Sequence, residues 1–178
     1  MTRTIARPAL TTAALLLAAC ASAPPVDLTA PPPVRPTVGE ASQANWEAGQ
    51  QAYLDWSAQR TGWTATDSGL QYRLVSEPNP DGDQPVATDT VRVHYRGVFI
   101  DGREFDSSYS RNEPAEFPLN RVIDGWTEGV ALMREGETFD FVIPANLAYG
   151  SRVMGGGEIP ANSTLLFRVQ LLEVNPAA

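Results

Sequence analysis

The sequence predicts an α+β fold: a curved antiparallel sheet of five or six strands wrapped around one short α-helix, with a helical extension ahead of it. Three observations carry that expectation. Beyond Thr66, apolar and polar residues alternate with period two in several short runs, the pattern of strands solvated on one face. Only one segment after that point, around "GWTEGVALMREGE", has helical spacing. Turn-forming Pro, Gly, Asn and Asp separate the runs, which suits antiparallel neighbours.

The chain has 178 residues, of which 43% are hydrophobic and four are Trp, enough for one domain with appendages. Residues 1–19 read as a signal peptide. Arg3 and Arg7 precede an apolar run from Ala9 to Ala19, short of the roughly 20 residues that a membrane-spanning helix needs. The run ends in Leu17-Ala18-Ala19-Cys20, which resembles a bacterial lipobox. That resemblance implies cleavage before Cys20 and acylation of its thiol. The alternative is secretory cleavage at an Ala-x-Ala, which leaves Cys20 without a role. Being the one cysteine, Cys20 excludes an internal disulfide.

Residues 20–42, rich in Pro, Ala, Ser and Thr, read as an extended tether. The first 19 residues hold two of the 13 basic groups and none of the 21 acids, so their removal takes the net charge from −8 to −10. A chain that acidic has no electrostatic footprint for nucleic acid. Its membrane contact is expected through lipid at Cys20 rather than through a basic patch. The residue after Cys20 is Ala21, not the Asp that often retains lipoproteins at the inner membrane, so the outer membrane is expected.

Residues 43–66 form a short amphipathic helix and a linker. Trp46, Gly49 or Gln50, Tyr53, Leu54 and Trp56 fall near helical spacing, Gly62 is a stop, and the aromatic face is expected to dock on its own domain, the alternative being a partner-binding surface. Then come "GLQYRLVSE", with Leu70, Tyr72 and Leu74 alternating, and a turn-rich stretch. "TVRVHYRGVFI" sets Val91, Val93 and Tyr95 on one face against Arg92, His94 and Arg96 on the other. Asp101-Gly102 marks a hairpin, and a strand leaves into a polar loop and returns at "AEFPL". Trp126, Val130 and Met133, at i, i+4 and i+7, predict a helix of about two turns closed near Gly136. "TFDFVI", a long Pro/Gly-rich loop and "TLLFRVQLLEV" complete the sheet.

The usual catalytic inventory is thin. The one histidine, His94, lies on a polar strand face and reads as solvated or locally bonded. Glu104 and Asp106 share a strand face without an evident second partner, and Ser107-Ser108 has no base in view, so a triad-type hydrolase has little support. No glycine-rich phosphate loop and no metal-ligand cluster is present, so no cofactor or metal is expected. What stands out is apolar and aromatic. Tyr95, Phe105, Phe117, Val122, Ile123, Trp126, Tyr149, Ile159 and Phe167 gather at strand ends, the helix start and the long loop, which hints at a lined cavity.

Four segments, "VHYRGVFIDGREFDSS", "VIDGWTEGVALMREGE", "IPANLAYG" and "IPANSTLLFRVQLLEV", resemble in order and spacing the FKBP-type peptidyl-prolyl cis-trans isomerases. The preceding "SGLQYRLV" and its helix resemble the bacterial envelope subgroup, and the long dimerising helices of larger members are not expected here. The resemblance covers about residues 67–175 and marks 67–178 as the isomerase domain. It implies an FKBP-like fold and a pocket between helix and sheet. Tyr95, Phe105, Phe117, Val122, Ile123, Trp126, Ile159 and Phe167 would bind substrate there, with Trp126 as floor, and Asp106 and Tyr149 would be catalytic. It also implies proline-containing segments of envelope proteins as substrates and macrolide-type inhibitors as ligands. The other reading from the same groove is a lipid-anchored chaperone or scaffold that binds such segments without catalysis. Three departures from the family pattern stand at the rim: Ala115 for an aromatic, Glu158 in the glycine-rich "SRVMGGGE", and Ala161 for a second proline.

Overall fold

The computed structural model describes residues 43–177. The signal peptide, the tether and Cys20 lie outside the described residues.

Helix α1 spans Gln43–Ser57. Trp46, Gln50, Tyr53 and Ser57 are buried, one stripe at i, i+4, i+7 and i+11, and the helix docks on its own sheet as its pattern predicts. Polar groups fix the docking as much as apolar ones. The Trp46 indole N–H donates to the Ala161 carbonyl at 2.9 Å, and the Thr164 N–H donates to Gln50 Oε1 at 2.8 Å. Gln71 Nε2 donates to the Leu54 carbonyl at 3.0 Å. Tyr53 packs on Ile100 and Val142 from the face of the sheet that would otherwise meet water. The helix gives way to turns, and Gly62 takes a left-handed φ of 81° that only glycine adopts without strain.

The strands are β1 (Thr64–Ala65), β2 (Gln71–Leu74), β3 (Thr90–Phe99), β4 (Glu104–Ser107), β5 (Ala115–Pro118), β6 (Thr138–Ile143) and β7 (Leu165–Val174). They form one antiparallel sheet in the order β1-β2-β6-β7-β3-β4, with β5 also on β3. Seven strands stand where five or six were expected, for a local reason. The two-residue β1 extends one edge, and the other edge of β3 is shared, β5 pairing its first half and β4 its second.

Helix α2 (Asp124–Val130) crosses the concave face. Trp126, Val130 and Met133 are buried as the spacing predicts, although the helix itself ends at Val130 and Met133 sits in the turn beyond it. Two glycines inside so short a helix would each cost about 1 kcal/mol relative to Ala. They permit a close approach. A Cβ on Gly129 would lie 2.7 Å from Phe141 Cε1, and one on Gly125 would overlap Ile143 Cγ2. The bare backbone at these i, i+4 positions lets α2 settle onto β6. Beneath it Val91, Val93, Leu119, Ile143, Leu165, Val169 and Leu171 are sealed from solvent.

Candidate active site

All ten residues named from the sequence for the pocket line one cavity of about 680 Å³ between α2, the concave face and the long loop. They are Tyr95, Phe105, Asp106, Phe117, Val122, Ile123, Trp126, Tyr149, Ile159 and Phe167.

Trp126 organises the apolar part. Tyr95, Phe117 and Phe167 meet its ring edge-to-face, with centroids 5.3, 5.6 and 5.4 Å away and interplanar angles of 86°, 85° and 84°. Three walls therefore stand perpendicular to one flat floor, the geometry in which positive ring edges meet a negative ring face. Phe105 closes the box by standing at 89° to Phe167, 5.5 Å away. The indole N–H of Trp126 is buried without an acceptor among the described residues, a cost of about 1–3 kcal/mol that the surrounding packing must outweigh.

The floor is held at this level by the entry to α2. Ile123, at φ −63° and ψ 148°, is still extended, and its carbonyl accepts from the N–H groups of Trp126 and Thr127. The Thr127 hydroxyl reaches back to the Leu119 carbonyl at 2.5 Å, which pins the segment carrying Val122 and Ile123. No protein acceptor among the described residues takes the Ile123 N–H. The Tyr149 hydroxyl likewise makes no hydrogen bond to the protein among the described residues.

The polar wall comes from β4. Strand alternation would send Phe105 and Asp106 to opposite faces, yet both line the cavity. A bulge resolves this: Gly97 faces Asp106 while Val98 faces Glu104, so Phe105 is the extra residue. The same bulge separates Asp106 from Glu104, which turns to Arg96 at 2.7 Å.

Asp106 is gripped by two donors. The Tyr95 hydroxyl donates to Oδ2 at 2.5 Å, Arg111 Nη1 donates to Oδ1 at 2.6 Å, and Arg111 Nη2 reaches the Tyr95 oxygen at 3.0 Å. Burial works to raise the Asp106 carboxyl, but the bonds from Tyr95 and Arg111 outweigh it and hold the group below the ordinary carboxylate range. Burial, and then the bond to Asp106, push the Tyr95 hydroxyl up. At neutral pH the wall therefore carries a fixed carboxylate and a protonated phenol.

Arg111 is the functional candidate that sequence reasoning missed. It sits five residues beyond Asp106 in a polar loop, where no periodicity marks it, and only the fold of that loop returns it to the carboxylate. His94 is locally bonded, as expected: its ring nitrogen lies 3.0 Å from Ser108 Oγ and it stacks on Tyr109, outside the cavity. At the rim Glu158 and Arg152 line the cavity with Met154 and Gly155.

A curved antiparallel sheet with one short helix across it encloses an aromatic box built from Tyr95, Phe117, Trp126 and Phe167. The family model for FKBP-type peptidyl-prolyl cis-trans isomerases matches residues 82–172, and the chain belongs to that family.

Over 135 residues the chain is 51% identical to the FKBP-type peptidyl-prolyl cis-trans isomerase FkpA of Aeromonas hydrophila, covering 75% of this chain and 48% of that protein. It is 42% identical over 127 residues to the outer membrane protein MIP of Legionella longbeachae, covering 71% of this chain and 53% of that one. The crystal structure of FkpA from Escherichia coli superposes with a TM-score of 0.70 at 44% identity, over 76% of this chain and 62% of that one. The chain thus spans about half the length of the relatives it matches.

Proposed function

We propose that the protein catalyses cis-trans isomerisation of X–Pro bonds in unfolded or folding polypeptides. The observation that carries this reading is the Trp126 floor with three aromatic walls perpendicular to it. A proline ring is compact, apolar and of a size to lie on such a floor.

The chemistry suits a site without a nucleophile. Rotation about X–Pro breaks no bond, and its barrier of roughly 18–20 kcal/mol arises from amide resonance. The twisted transition state has lost that resonance and much of the amide dipole, so an apolar enclosure favours it over the planar ground state. Phe105, Phe117, Val122, Ile159 and Phe167 would supply the enclosure beside Tyr95 and Trp126. The free Ile123 N–H and the Tyr149 hydroxyl would hold the carbonyls flanking the bond. Asp106, fixed by Tyr95 and Arg111, would stand against the rotating carbonyl.

The site residues belong to the domain that we place at 67–178, carried on the 43–66 helix and linker. The Leu17-Ala18-Ala19-Cys20 run supports removal of residues 1–19, acylation at Cys20 and a periplasm-facing protein on a Pro-rich tether. The name of the Legionella relative, an outer membrane protein, supports that membrane over the inner one. Labelled palmitate should enter the wild type and be absent from Cys20→Ser.

The decisive experiment is refolding of a client whose slow phase is proline isomerisation, with the chain lacking residues 1–19. Acceleration in proportion to protein concentration, abolished in Trp126→Leu, supports catalysis. A refolding rate that is slowed or unchanged would replace it with the non-catalytic chaperone or scaffold. A macrolide of the kind that fills FKBP pockets should block the acceleration.

A further inference from the structure

A second cavity, of about 320 Å³, lies on the opposite face of the sheet, where the turn after α1 overhangs β2, β6 and β7. Its charge is opposite in sign to that of the chain. Arg60, Arg73, Arg96 and Arg168 line it against a single acid, Asp140, in a protein of net charge −8.

The pairing inside this groove is incomplete. Asp140 is consumed from both sides: Arg73 donates to Oδ2 from Nε and Nη2 at 3.1 and 2.8 Å, and Arg168 donates to Oδ1 and Oδ2 at 2.7 and 3.0 Å. Arg96 is taken by Glu104 on β4. Arg60 has no carboxylate within ion-pair distance among the described residues. Among the described residues its side chain donates only to Ser57, and it lies over the rings of Trp63 at 3.8 Å and Trp56 at 4.7 Å. Each guanidinium carries five N–H donors in a planar fork, so Arg60, Arg73 and Arg168 all retain donors after these bonds are made.

We propose that this groove is a second binding site, for an acidic peptide segment whose carboxylate is taken by Arg60 and Arg168. A planar fork matches a carboxylate in bidentate fashion, and guanidinium stacked on indole is held ready for it. Tyr53, Trp63 and Leu166 add apolar walls that suit the side chain or backbone beside the acid. A peptide is favoured over an anionic lipid surface because a chain of net charge −8 is repelled by such a surface as a whole, whereas a recessed groove selects by local charge. The site depends on α1, since Tyr53, Arg60 and Trp63 come from that helix and the turn after it. Proline plays no part in it.

The test is fluorescence anisotropy of a labelled, proline-free, Glu-rich peptide with the full-length chain at low salt. A Gln-rich peptide of equal length serves as control. The acidic peptide should bind and the neutral one should not. Arg60→Gln and Arg168→Gln should each weaken binding about ten-fold, the loss of a charge-assisted hydrogen bond, while Trp126→Leu should leave it unchanged. Far-UV circular dichroism checks the fold. If Arg60→Gln loosens α1, Arg168→Gln decides instead, because that side chain is 50% exposed and Asp140 keeps Arg73 as a partner. Equal affinity in wild type and the folded arginine variants overturns the proposal. So does binding to phosphatidylglycerol vesicles that the peptide cannot compete with.

Discussion

Replacing Gly97 with Ala perturbs the aromatic box from behind, at a residue that would not meet substrate. Gly97 pairs with Asp106 on one side and with Phe167 on the other. A Cβ at this position would stand 2.6 Å from Phe105 Cζ and 2.8 Å from Phe167 Cε1. Favourable carbon contacts begin near about 3.5 Å, so the rings must retreat by roughly 0.7–0.9 Å, and the open direction is the cavity. The backbone at Gly97 is not left-handed, so the effect is steric alone. Overpacking of this kind costs about 1–3 kcal/mol, offset by about 0.4–1 kcal/mol from stiffening the unfolded chain. The thermal midpoint should fall by about 2–4 °C for each net kcal/mol. Turnover should suffer more, since a misplacement near 1 Å can cost about 100-fold. Protease-coupled turnover of an X-Pro peptide should therefore show kcat/KM down by about ten- to a hundred-fold. Full turnover in a variant whose midpoint has dropped would mean that the rings moved and the chemistry did not depend on them. No change in either quantity would mean that the close approach has no consequence.

Asp106→Ala and Tyr149→Phe should each lower kcat/KM while leaving the circular dichroism spectrum intact; unchanged turnover in both removes them from the mechanism. Arg111→Ala takes away a donor that keeps the Asp106 carboxyl low, so the acid limb of the kcat/KM profile should move to higher pH. Asp140 is the acid-stability prediction. Burial raises its carboxyl, but bonds from Arg168 and Arg73 outweigh it and hold the group below its ordinary 3.8. A depressed carboxylate contributes stability that is complete above that ordinary value and is lost as pH falls through the lower folded one. Asp140→Asn should cost about 1–2 kcal/mol at neutral pH, discounted for the half-exposed guanidiniums, and should flatten the fall of the thermal midpoint below about pH 4.

Much of the architecture was legible in particular residues. Val91, Val93 and Tyr95 alternate against Arg92, His94 and Arg96, and the first three are buried. Trp46, Gly49 or Gln50, and Tyr53 marked a docking face, and α1 docks by Trp46, Gln50 and Tyr53. Strand and helix periods survive folding because the element that carries them must bury one face. Clustering at element boundaries pointed to a cavity, but the roles of its residues came from family resemblance, because an aromatic at a strand end looks the same whether it fills a core or lines a cavity.

What the linear chain determined by itself is local: which stretches alternate, which turn, where the net charge lies, and that no triad or metal cluster is spelled out in it. Tertiary structure alone decided the rest. The bulge that turns both Phe105 and Asp106 into one cavity is a mismatch between two strands and has no signature in either. Arg111 reaches Asp106 only when the loop closes, and Gly97, Gly125 and Gly129 matter for the rings and side chains that approach them across space. The right-angle stacking on Trp126 joins residues from β3, β5, α2 and β7. Period and composition are properties of neighbours along the chain, whereas a cavity belongs to neighbours across it. For that reason the sequence could mark a Trp at a helix start, and only the packed sheet made it a floor.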